Sequence, residues 1–419
     1  MEKAFTNLHD LIRGFAGAMD LFEPDVQNHH QKVAYLSYRI AEAMGLPESE
    51  RLLALYAALL HDIGSVMTDK DVSLRDVERN ASAIARMGGE MLKMFTQTLP
   101  VAEIVRNSQS SWKRLSRLPK LIRGGQTISQ IVHLSDVVSL LLGEENSVLN
   151  QVSYVHDCIQ AAGGEEFSPD VLAAFDSVCR TDAVWMDLLY RPELFLELIP
   201  ADETLTLRET GKLTELASLI IDFRSPFTAM HSAGVAASAE RMASLMGMSE
   251  DECLMMRIAG HLHDLGKLKI SRAILEKPGK LTDKEFNVIK EHAYYTYVLL
   301  KDIRGFEQIA PWAAFHHEKL NGEGYPFRLR GEDIPLGARI MAAADIFSAI
   351  TEKRPYRDGM VREPAMAVMR DNVERGTLSG QIVSLLLEHY DEIDAARSKA
   401  SEAAGKRYFD SMAKKEPAT

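Results

Sequence analysis

The sequence is poor in cysteine, it has no excess of positive over negative charge, and it has no long apolar run. Its 419 residues include only Cys158, Cys179 and Cys253, without CxxC spacing, so neither a disulfide framework nor a thiolate zinc site is predicted. A formal net charge of −12 argues against binding to duplex nucleic acid or an anionic membrane. No basic, apolar leader opens the chain and no apolar run approaches about 18 residues, so we expect no membrane span and a cytoplasmic protein.

Helical periodicity dominates what is present. Residues 235–246 and 252–265 carry apolar side chains at i, i+3, i+4 and i+7, whereas strict alternation is hard to find. Ser249, followed three residues later by Glu252, predicts a capping box and a helix start. We therefore predict an all-α protein, long enough for two domains. The Ala-, Lys- and Glu-rich segment from Asp391 onward predicts a solvated helix that frays.

The chain contains an internal repeat. Two histidines 32 positions apart recur 202 residues later, and in each copy the second histidine precedes an aspartate, giving LLHDIGS and HLHDLGK. The residues are His29, His61 and Asp62 in the first copy and His231, His263 and Asp264 in the second. A repeat of this length indicates a duplicated domain. We place the domains at residues 1–200 and 201–400, followed by a charged tail at 401–419.

The second half concentrates groups that can bind metal. Five imidazoles and two carboxylates lie in or beside apolar helical patterns, where an ionisable group is costly unless it is paired or coordinated. They are His231, His263, Asp264, His292, His316, His317 and Asp345. This set could hold two divalent cations, and two ions about 3.5–4 Å apart can polarise a phosphodiester and activate water. Nitrogen and oxygen ligands without thiolate suit iron, manganese or zinc.

Several motifs in order carry a family resemblance over residues 225–400. They are HDLGK (263–267), AILEKPGKLTDKE (273–285), HHEKLNGEGYP (316–326), IPLGARIMAAADIFSAIT (334–351) and RPYR (354–357). With them, the second half resembles the HD-GYP family of cyclic-dinucleotide phosphodiesterases, a branch of the HD metal-dependent phosphohydrolases. The resemblance implies two tandem HD-type helical domains and a metal pair beside the GYP loop.

The resemblance also implies roles for single residues. The first metal would be held by His231, His263, Asp264 and Asp345, and the second by His292, His316 and His317, with Asp264 bridging. Lys267 would lie beside the reacting phosphate, and Arg354 and Arg357 would reach the ligand's phosphates or bases. Phe227 stands where some members have a glutamate for a third metal, so we predict two divalent ions. Iron or manganese is expected first, with zinc, nickel or magnesium as alternatives.

The implied activity is hydrolysis of a cyclic dinucleotide in bacterial second-messenger signalling. Cyclic di-GMP is the first expected substrate and 3′3′-cyclic GMP-AMP the second, giving the linear dinucleotide, with further cleavage to mononucleotides left open. The alternative is a slow or inactive sensor that docks a diguanylate-cyclase-type or other signalling protein through the GYP loop. In that loop, Glu323 departs from the family's usual serine. A nucleotide phosphohydrolase of the wider HD group is a third option, against which RPYR and GYP argue.

The first half resembles a degenerate HD domain. It keeps a four-ligand set for at most one metal, His29, His61, Asp62 and Asp136. Alignment puts Ser108 and Gln109 at the paired histidines, Glu90 at His292 and Ser65 at Lys267, and no GYP turn follows. We expect a regulatory or dimer-forming role, and a buried His61–Asp62 hydrogen-bonded pair is as good an explanation as metal binding. His30 is interpreted as incidental.

Overall fold

Helices form nearly all of the regular structure, which confirms the predicted all-α class. The computed structural model describes residues 3–22, 28–67, 74–94, 98–117, 125–143, 147–200, 203–223, 230–352 and 358–413. Within these ranges the sheet content is one antiparallel pair, β1 (Ala4–Asn7) with β2 (Thr204–Thr206). No helix in the described part of the chain has both the length and the apolar character needed to cross a membrane.

The helices fall into two series. The first comprises α1 (Leu8–Phe22), α2 (His29–Ala43), α3 (Glu48–Leu60), α4 (Leu74–Leu92), α5 (Leu99–Asn107), α6 (Trp112–Leu115), α7 (Gly125–Leu141), α8 (Val152–Ala161), α9 (Pro169–Val178) and α10 (Asp182–Tyr190). The second comprises α11 (Leu207–Phe223), α12 (His231–Leu245), α13 (Glu250–Leu262), α14 (Arg272–Leu275), α15 (Asp283–Leu300), α16 (Ile309–Ala314), α17 (Leu336–Thr351), α18 (Arg362–Glu374), α19 (Gly380–Glu388) and α20 (Tyr390–Ala413). Short 3₁₀ segments cover Ile63–Met67, Val148–Asn150, Pro192–Leu198, Leu265–Lys269 and Gly331–Asp333.

The internal duplication is visible in the backbone. Helices α2 and α12 both have 15 residues, α3 and α13 both have 13, and the 3₁₀ segment after each pair has five. The turn between the paired helices has a left-handed glycine in both copies, Gly45 at φ 68° and Gly247 at φ 81°, a conformation that glycine adopts without steric cost. In the second copy α12 packs against α13, α17 and α20, so metal-ligand candidates on different helices meet.

The chain divides into two compact units, residues 19–201 and residues 1–18 together with 202–419. The predicted division at residue 200 differs from this arrangement at the N-terminus, because residues 3–18 pack with the second unit. There Thr6 Oγ1 donates to Arg304 O at 2.6 Å and Arg13 to Asp302 O at 2.7 Å. The short β1 strand joins β2 in the same unit.

Over residues 390–407 the C-terminal helix is not a solvated tail, contrary to the prediction, and residues 414–419 of the predicted tail lie outside the described part of the chain. Helix α20 packs along α12 with Ile393, Ser401 and Ala404 buried. Ser401 Oγ donates to Met230 O at 3.0 Å, next to the start of α12. The small residues that made this segment resemble a solvated helix permit this close packing, and α20 continues through the predicted tail boundary at residue 401.

The capping box that starts α13 is confirmed. Glu252 N donates to Ser249 Oγ at 3.3 Å, and Ser249 N donates to Glu252 Oε2 at 2.8 Å. Ser249→Ala should lower the free energy of unfolding by about 1 kcal/mol, because the backbone N–H of Glu252 loses its acceptor, the Ser249 hydroxyl. Chemical denaturation measures this loss. Ser249→Asp, which keeps a capping oxygen, should stay close to wild type, and equal losses in both variants would contradict the capping explanation.

Candidate metal centre

The first group of candidate ligands forms where two helix ends meet. His231 is the first residue of α12, and His263 directly follows α13 with Asp264 next to it. One potential ligand atom from each of the three lies within 4.8 Å of the others. His231 Nε2 is also 3.0 Å from Oδ1 of Asp345 on α17. The four residues expected at the first metal are therefore brought together.

The second group lies between α15 and the end of α16. His292 is on α15, and His316 and His317 follow α16 by two and three residues. Their potential ligand atoms lie within 4.8 Å of one another, and the Nε2 atoms of His292 and His316 are 3.4 Å apart. The end of the helix lets two successive imidazoles turn toward one point, as the sequence predicts.

Asp264 lies between the two groups and is 1% exposed. Its Oδ2 is 3.3 Å from His263 Nε2, while its Oδ1 is 3.5 Å from His292 Nε2 and 3.9 Å from His316 Nε2. The two oxygens therefore face different histidine groups, the arrangement that a bridging carboxylate requires. Lys267 Nζ is 2.5 Å from Oδ2. The lysine lies in the 3₁₀ segment that follows α13.

The electrostatics favour neutral imidazoles at the second group. Burial lowers the pKa of His292 to about 4 and that of His316 to about 3, and it lowers the pKa of His317 well below the usual value. These rings keep a lone pair for a cation at neutral pH. Burial alone would raise the pKa of Asp264, but the charges of His263 and Lys267 outweigh it and hold that pKa well below normal.

His231 differs because carboxylates face both of its ring nitrogens. Burial opposes its charged form, but hydrogen bonds to Asp345 and Glu352, each at 3.0 Å, raise the pKa of His231 to about 10. A cation between His231 Nε2 and Asp345 would replace the Nε2 proton. The same contact holds the pKa of Asp345 below its ordinary value despite burial.

The four candidate ligands of the first half also form a compact cluster. His29 Nε2 is 3.1 Å from Asp136 Oδ1, His61 Nε2 is 3.0 Å from Asp62 Oδ2, and the two Nε2 atoms are 3.3 Å apart. Burial opposes the charged form of His61, but Asp62 and Asp136 raise its pKa well above normal. Gln109 Nε2 donates to Asp136 Oδ2 at 2.6 Å. The geometry of this cluster is compatible with a single-metal site and equally with a hydrogen-bonded ion-pair network.

Comparison with known proteins assigns both halves to one family. Family models described as the HD domain match residues 26–162 and 215–380, together more than half of the chain. The chain has two HD domains in tandem. The N-terminal HD domain thus contains the single four-residue cluster, and the C-terminal HD domain contains both ligand groups.

Similar proteins include three phosphodiesterases. The 3′3′-cGAMP-specific phosphodiesterase 1 of Vibrio cholerae is 28% identical over 94% of both chains. The 3′3′-cGAMP-specific phosphodiesterase 3 of the same organism is 43% identical over 37% of this chain and 34% of its own length. The cyclic di-GMP phosphodiesterase response regulator RpfG of Xanthomonas campestris is 39% identical over 41% of this chain and 45% of its own length.

A solved structure supports the fold. The crystal structure of the cyclic GMP-AMP specific phosphodiesterase V-cGAP3 of Vibrio cholerae matches with a TM-score of 0.61 and 22% identity, over 93% of this chain and 97% of that chain. The similarity extends across both HD domains. At this identity it is evidence for the tandem architecture alone.

Two atoms of the C-terminal HD domain indicate that its residues fit a metal. Within the described ranges, His263 Nε2 and Asp264 Oδ1 are buried and have no partner in hydrogen-bond geometry. A buried polar atom without a partner is costly. Both atoms are of the kind that ligates divalent cations, and both point into the ligand groups, so coordination would remove this cost.

Sequence reasoning missed two buried glutamates of the C-terminal HD domain. Glu352 is 4% exposed, and its Oε2 is 3.0 Å from His231 Nδ1. Glu318, 3% exposed, accepts from Phe327 N at 2.6 Å and Leu329 N at 2.9 Å, which fixes the end of the GYP loop. The Tyr325 ring lies 4.7 Å from that of His317, so the loop contacts the second ligand group. The sequence signal that could have indicated Glu318 was its position directly after the paired histidines, in the run Glu318-Lys319-Leu320.

Two interpretations of the N-terminal HD domain were wrong. Glu90 does not take the place of His292. A Cβ on Gly266 would lie 2.0 Å from His292 O, and one on the matching Gly64 would lie 2.1 Å from Ile84 O, so Ile84 is the structural counterpart. Glu90 instead accepts from Arg106 at 2.6 Å.

The second wrong interpretation concerns His30. This residue is not incidental, because its fully buried ring lies with Nδ1 3.0 Å from Asp20 Oδ1. The pair lies beside the four-residue cluster, since the ring centroid of His30 is 5.4 Å from that of His61, a member of the cluster.

Three predicted positions, Arg354, Arg357 and Phe227, lie outside the described residues. A groove of about 790 Å³ beside the GYP loop is described, and Phe286, Lys290, Tyr294, Lys319 and Arg330 are among its lining residues. The cationic side chains of this groove suit a partner with negative charge, and its aromatic rings suit a partner with a flat surface. Glu323, the acid that departs from the family pattern, is exposed and pairs with Asn321 beside it.

Proposed function

We propose that the chain is a metal-dependent phosphodiesterase that hydrolyses a cyclic dinucleotide to the linear dinucleotide. The observation that carries the proposal is Asp264, whose two oxygens face two separate histidine groups. The similarity to named cyclic-dinucleotide phosphodiesterases supports the same reaction class. His231, His263, Asp264 and Asp345 would hold one divalent ion, and His292, His316 and His317 would hold the second with Asp264.

The chemistry divides between the metals and the chain. A bound metal pair supplies Lewis acidity toward the phosphate and lowers the pKa of water. The chain holds the neutral imidazoles of the second group in place and limits access of bulk water to a site in which five of the seven ligands are buried. Hydrolysis adds the oxygen of water to phosphorus and breaks one phosphorus–oxygen ester bond. Lys267, beside Asp264, would stabilise charge on the leaving ribose oxygen, which takes up a proton.

For the substrate we propose 3′3′-cyclic GMP-AMP first and cyclic di-GMP second. This reverses the order expected from the motifs, because the relative that matches over 94% of both chains is named 3′3′-cGAMP-specific. Relatives named for cyclic di-GMP match over less than half of this chain. Arg354 and Arg357 are proposed to contact the phosphates or bases. The metals are proposed to be iron or manganese.

One experiment tests both the metal centre and the reaction. The protein is purified anaerobically, metals per chain are counted, and both cyclic dinucleotides are assayed side by side with added iron or manganese. About two ions per chain and formation of a linear dinucleotide are expected, faster from 3′3′-cyclic GMP-AMP. Two ions without turnover of either compound would contradict the proposed phosphodiesterase activity and favour a cyclic-dinucleotide sensor or docking module. The groove beside the GYP loop is the candidate docking surface.

The N-terminal HD domain is proposed to regulate the C-terminal one or to form a homodimer. Its cluster lacks counterparts of the second ligand group, since Ser108 and Gln109 stand for the paired histidines and Ile84 for His292. Ser65 stands for Lys267. A third metal ion per chain in the count would support a single-metal site at His29, His61, Asp62 and Asp136, and a count of two would favour the ion-pair network.

A further inference from the structure

The histidines of the metal centre differ in what holds their second ring nitrogen. His263, His292 and His316 each place Nδ1 2.6 to 2.7 Å from the backbone carbonyl three residues earlier. A carbonyl only accepts, so Nδ1 carries the hydrogen and Nε2 is left as the ligand atom. His231 is the first residue of α12, and no carbonyl of that helix precedes it. Its Nδ1 is instead 3.0 Å from Glu352 Oε2.

Glu352 reaches His231 through the helix that also carries Asp345. The glutamate directly follows α17, seven residues after Asp345, and two helical turns bring both side chains to the same face. Asp345 lies at Nε2 of His231 and Glu352 at Nδ1, each at 3.0 Å. Glu352 is 4% exposed, so its carboxylate is held in a buried site where a charge is costly without a partner.

The N-terminal HD domain meets the same need without a charge. His29, the first residue of α2, has Nδ1 3.0 Å from Ser139 Oγ. Ser139 lies three residues after Asp136 on α7. The residue three after Asp345 is Ser348, which is buried, and its hydroxyl has no hydrogen-bond partner within the described ranges. At Nδ1 of the first histidine, the C-terminal HD domain therefore has a carboxylate where the N-terminal HD domain has a hydroxyl.

We propose that Glu352 is a positioning residue of the first metal: by accepting from His231 Nδ1–H it fixes the ring with Nε2 toward the ion, and its buried negative charge strengthens the binding of a divalent cation. Such outer partners orient metal-binding histidines and raise their basicity. The inference rests on the metal centre of the proposed function. It assigns Glu352 no contact with substrate.

The test measures metal affinity by chelator competition in purified full-length protein loaded with manganese. Glu352→Gln keeps the size of the side chain and can still accept from Nδ1–H, but it removes the charge. Glu352→Leu removes both. We expect one of the two ions to bind about 10- to 100-fold more weakly in Glu352→Gln and more weakly still in Glu352→Leu, with the other ion unchanged. Ser348→Ala is the matched control and should bind both ions as wild type does.

The outcomes separate the explanations. Wild-type affinity in Glu352→Gln would overturn the proposed role of the negative charge, and wild-type affinity in Glu352→Leu would overturn the positioning role as well. A wild-type count that includes a third ion, lost in Glu352→Gln, would also overturn it and make Glu352 a direct ligand. If the metal-free variants have melting temperatures within a few degrees of that of the metal-free wild type, the loss of metal affinity is not due to unfolding. Two tightly bound ions without hydrolysis of either cyclic dinucleotide would contradict the proposed function but not this inference.

Discussion

Asp264→Asn should bind fewer than two metal ions per chain and lose more than about 10³-fold of its turnover of cyclic dinucleotides. The amide keeps the size of the side chain but offers one oxygen in place of two. In wild type, Oδ2 faces His263 and Lys267, and Oδ1 faces His292. With one oxygen, no orientation of the amide serves both ligand groups. Metal analysis and a steady-state assay on the same preparation measure the two losses.

Lys267→Met provides the comparison for this variant. The methionine removes a charge beside Asp264 but no candidate metal ligand, so we expect both ions to remain while turnover falls by about 10²- to 10³-fold. Circular dichroism should show that both variants keep their helices. Two ions bound to Asp264→Asn as tightly as to wild type would contradict the bridging role, whatever the effect on turnover.

The duplicated core could be predicted from sequence because its signals are local. The capping box, the left-handed glycine and the HD pair all lie within a helix hairpin of about 35 residues. The glycine and the HD pair recur at a constant offset, whereas the capping box does not, because Pro47 stands at the position of Ser249 in the first copy. Five of the seven candidate ligands were found for the same reason, since they belong to short motifs. His231 was found from the spacing of the repeat, and His292 from the family resemblance. The structure brings these seven residues together in two groups around Asp264.

Tertiary contacts account for what the sequence did not predict. Glu352 meets His231 across 121 positions, and an acid after a helix resembles a solvated end. Residues 3–18 pack with the second unit through contacts separated by nearly 300 positions. The assignment of Glu90 failed because His292 lies 28 residues after Asp264 whereas Ile84 lies 22 residues after Asp62. Without a histidine in the first copy, no side chain marks this difference of six residues.

Gly266→Ala should cost about 100-fold in turnover, although Gly266 has no side chain and touches no metal. A Cβ there would lie 2.0 Å from the carbonyl oxygen of His292, and no side-chain rotation can relieve a contact with backbone. The 3₁₀ segment is held to α15 by Gly266 N, which donates to Thr296 Oγ1 at 3.0 Å. The 3₁₀ segment and α15 must therefore separate by on the order of 1 Å, which moves His292 away from Asp264. A displacement of that size at a reacting centre lowers turnover by about 10²-fold.

Gly64→Ala is the matched control because it places the same strain in the other domain. Its Cβ would lie 2.1 Å from Ile84 O, and Ile84 has no ligand atom to displace. Each variant should lose about 1–3 kcal/mol of stability from overpacking, measured by denaturant unfolding. Only Gly266→Ala should lower both the affinity for the second metal ion and the turnover. If Gly64→Ala lowers turnover as much while both ions stay bound, the N-terminal HD domain controls catalysis and the effect of Gly266 cannot be assigned to His292 alone.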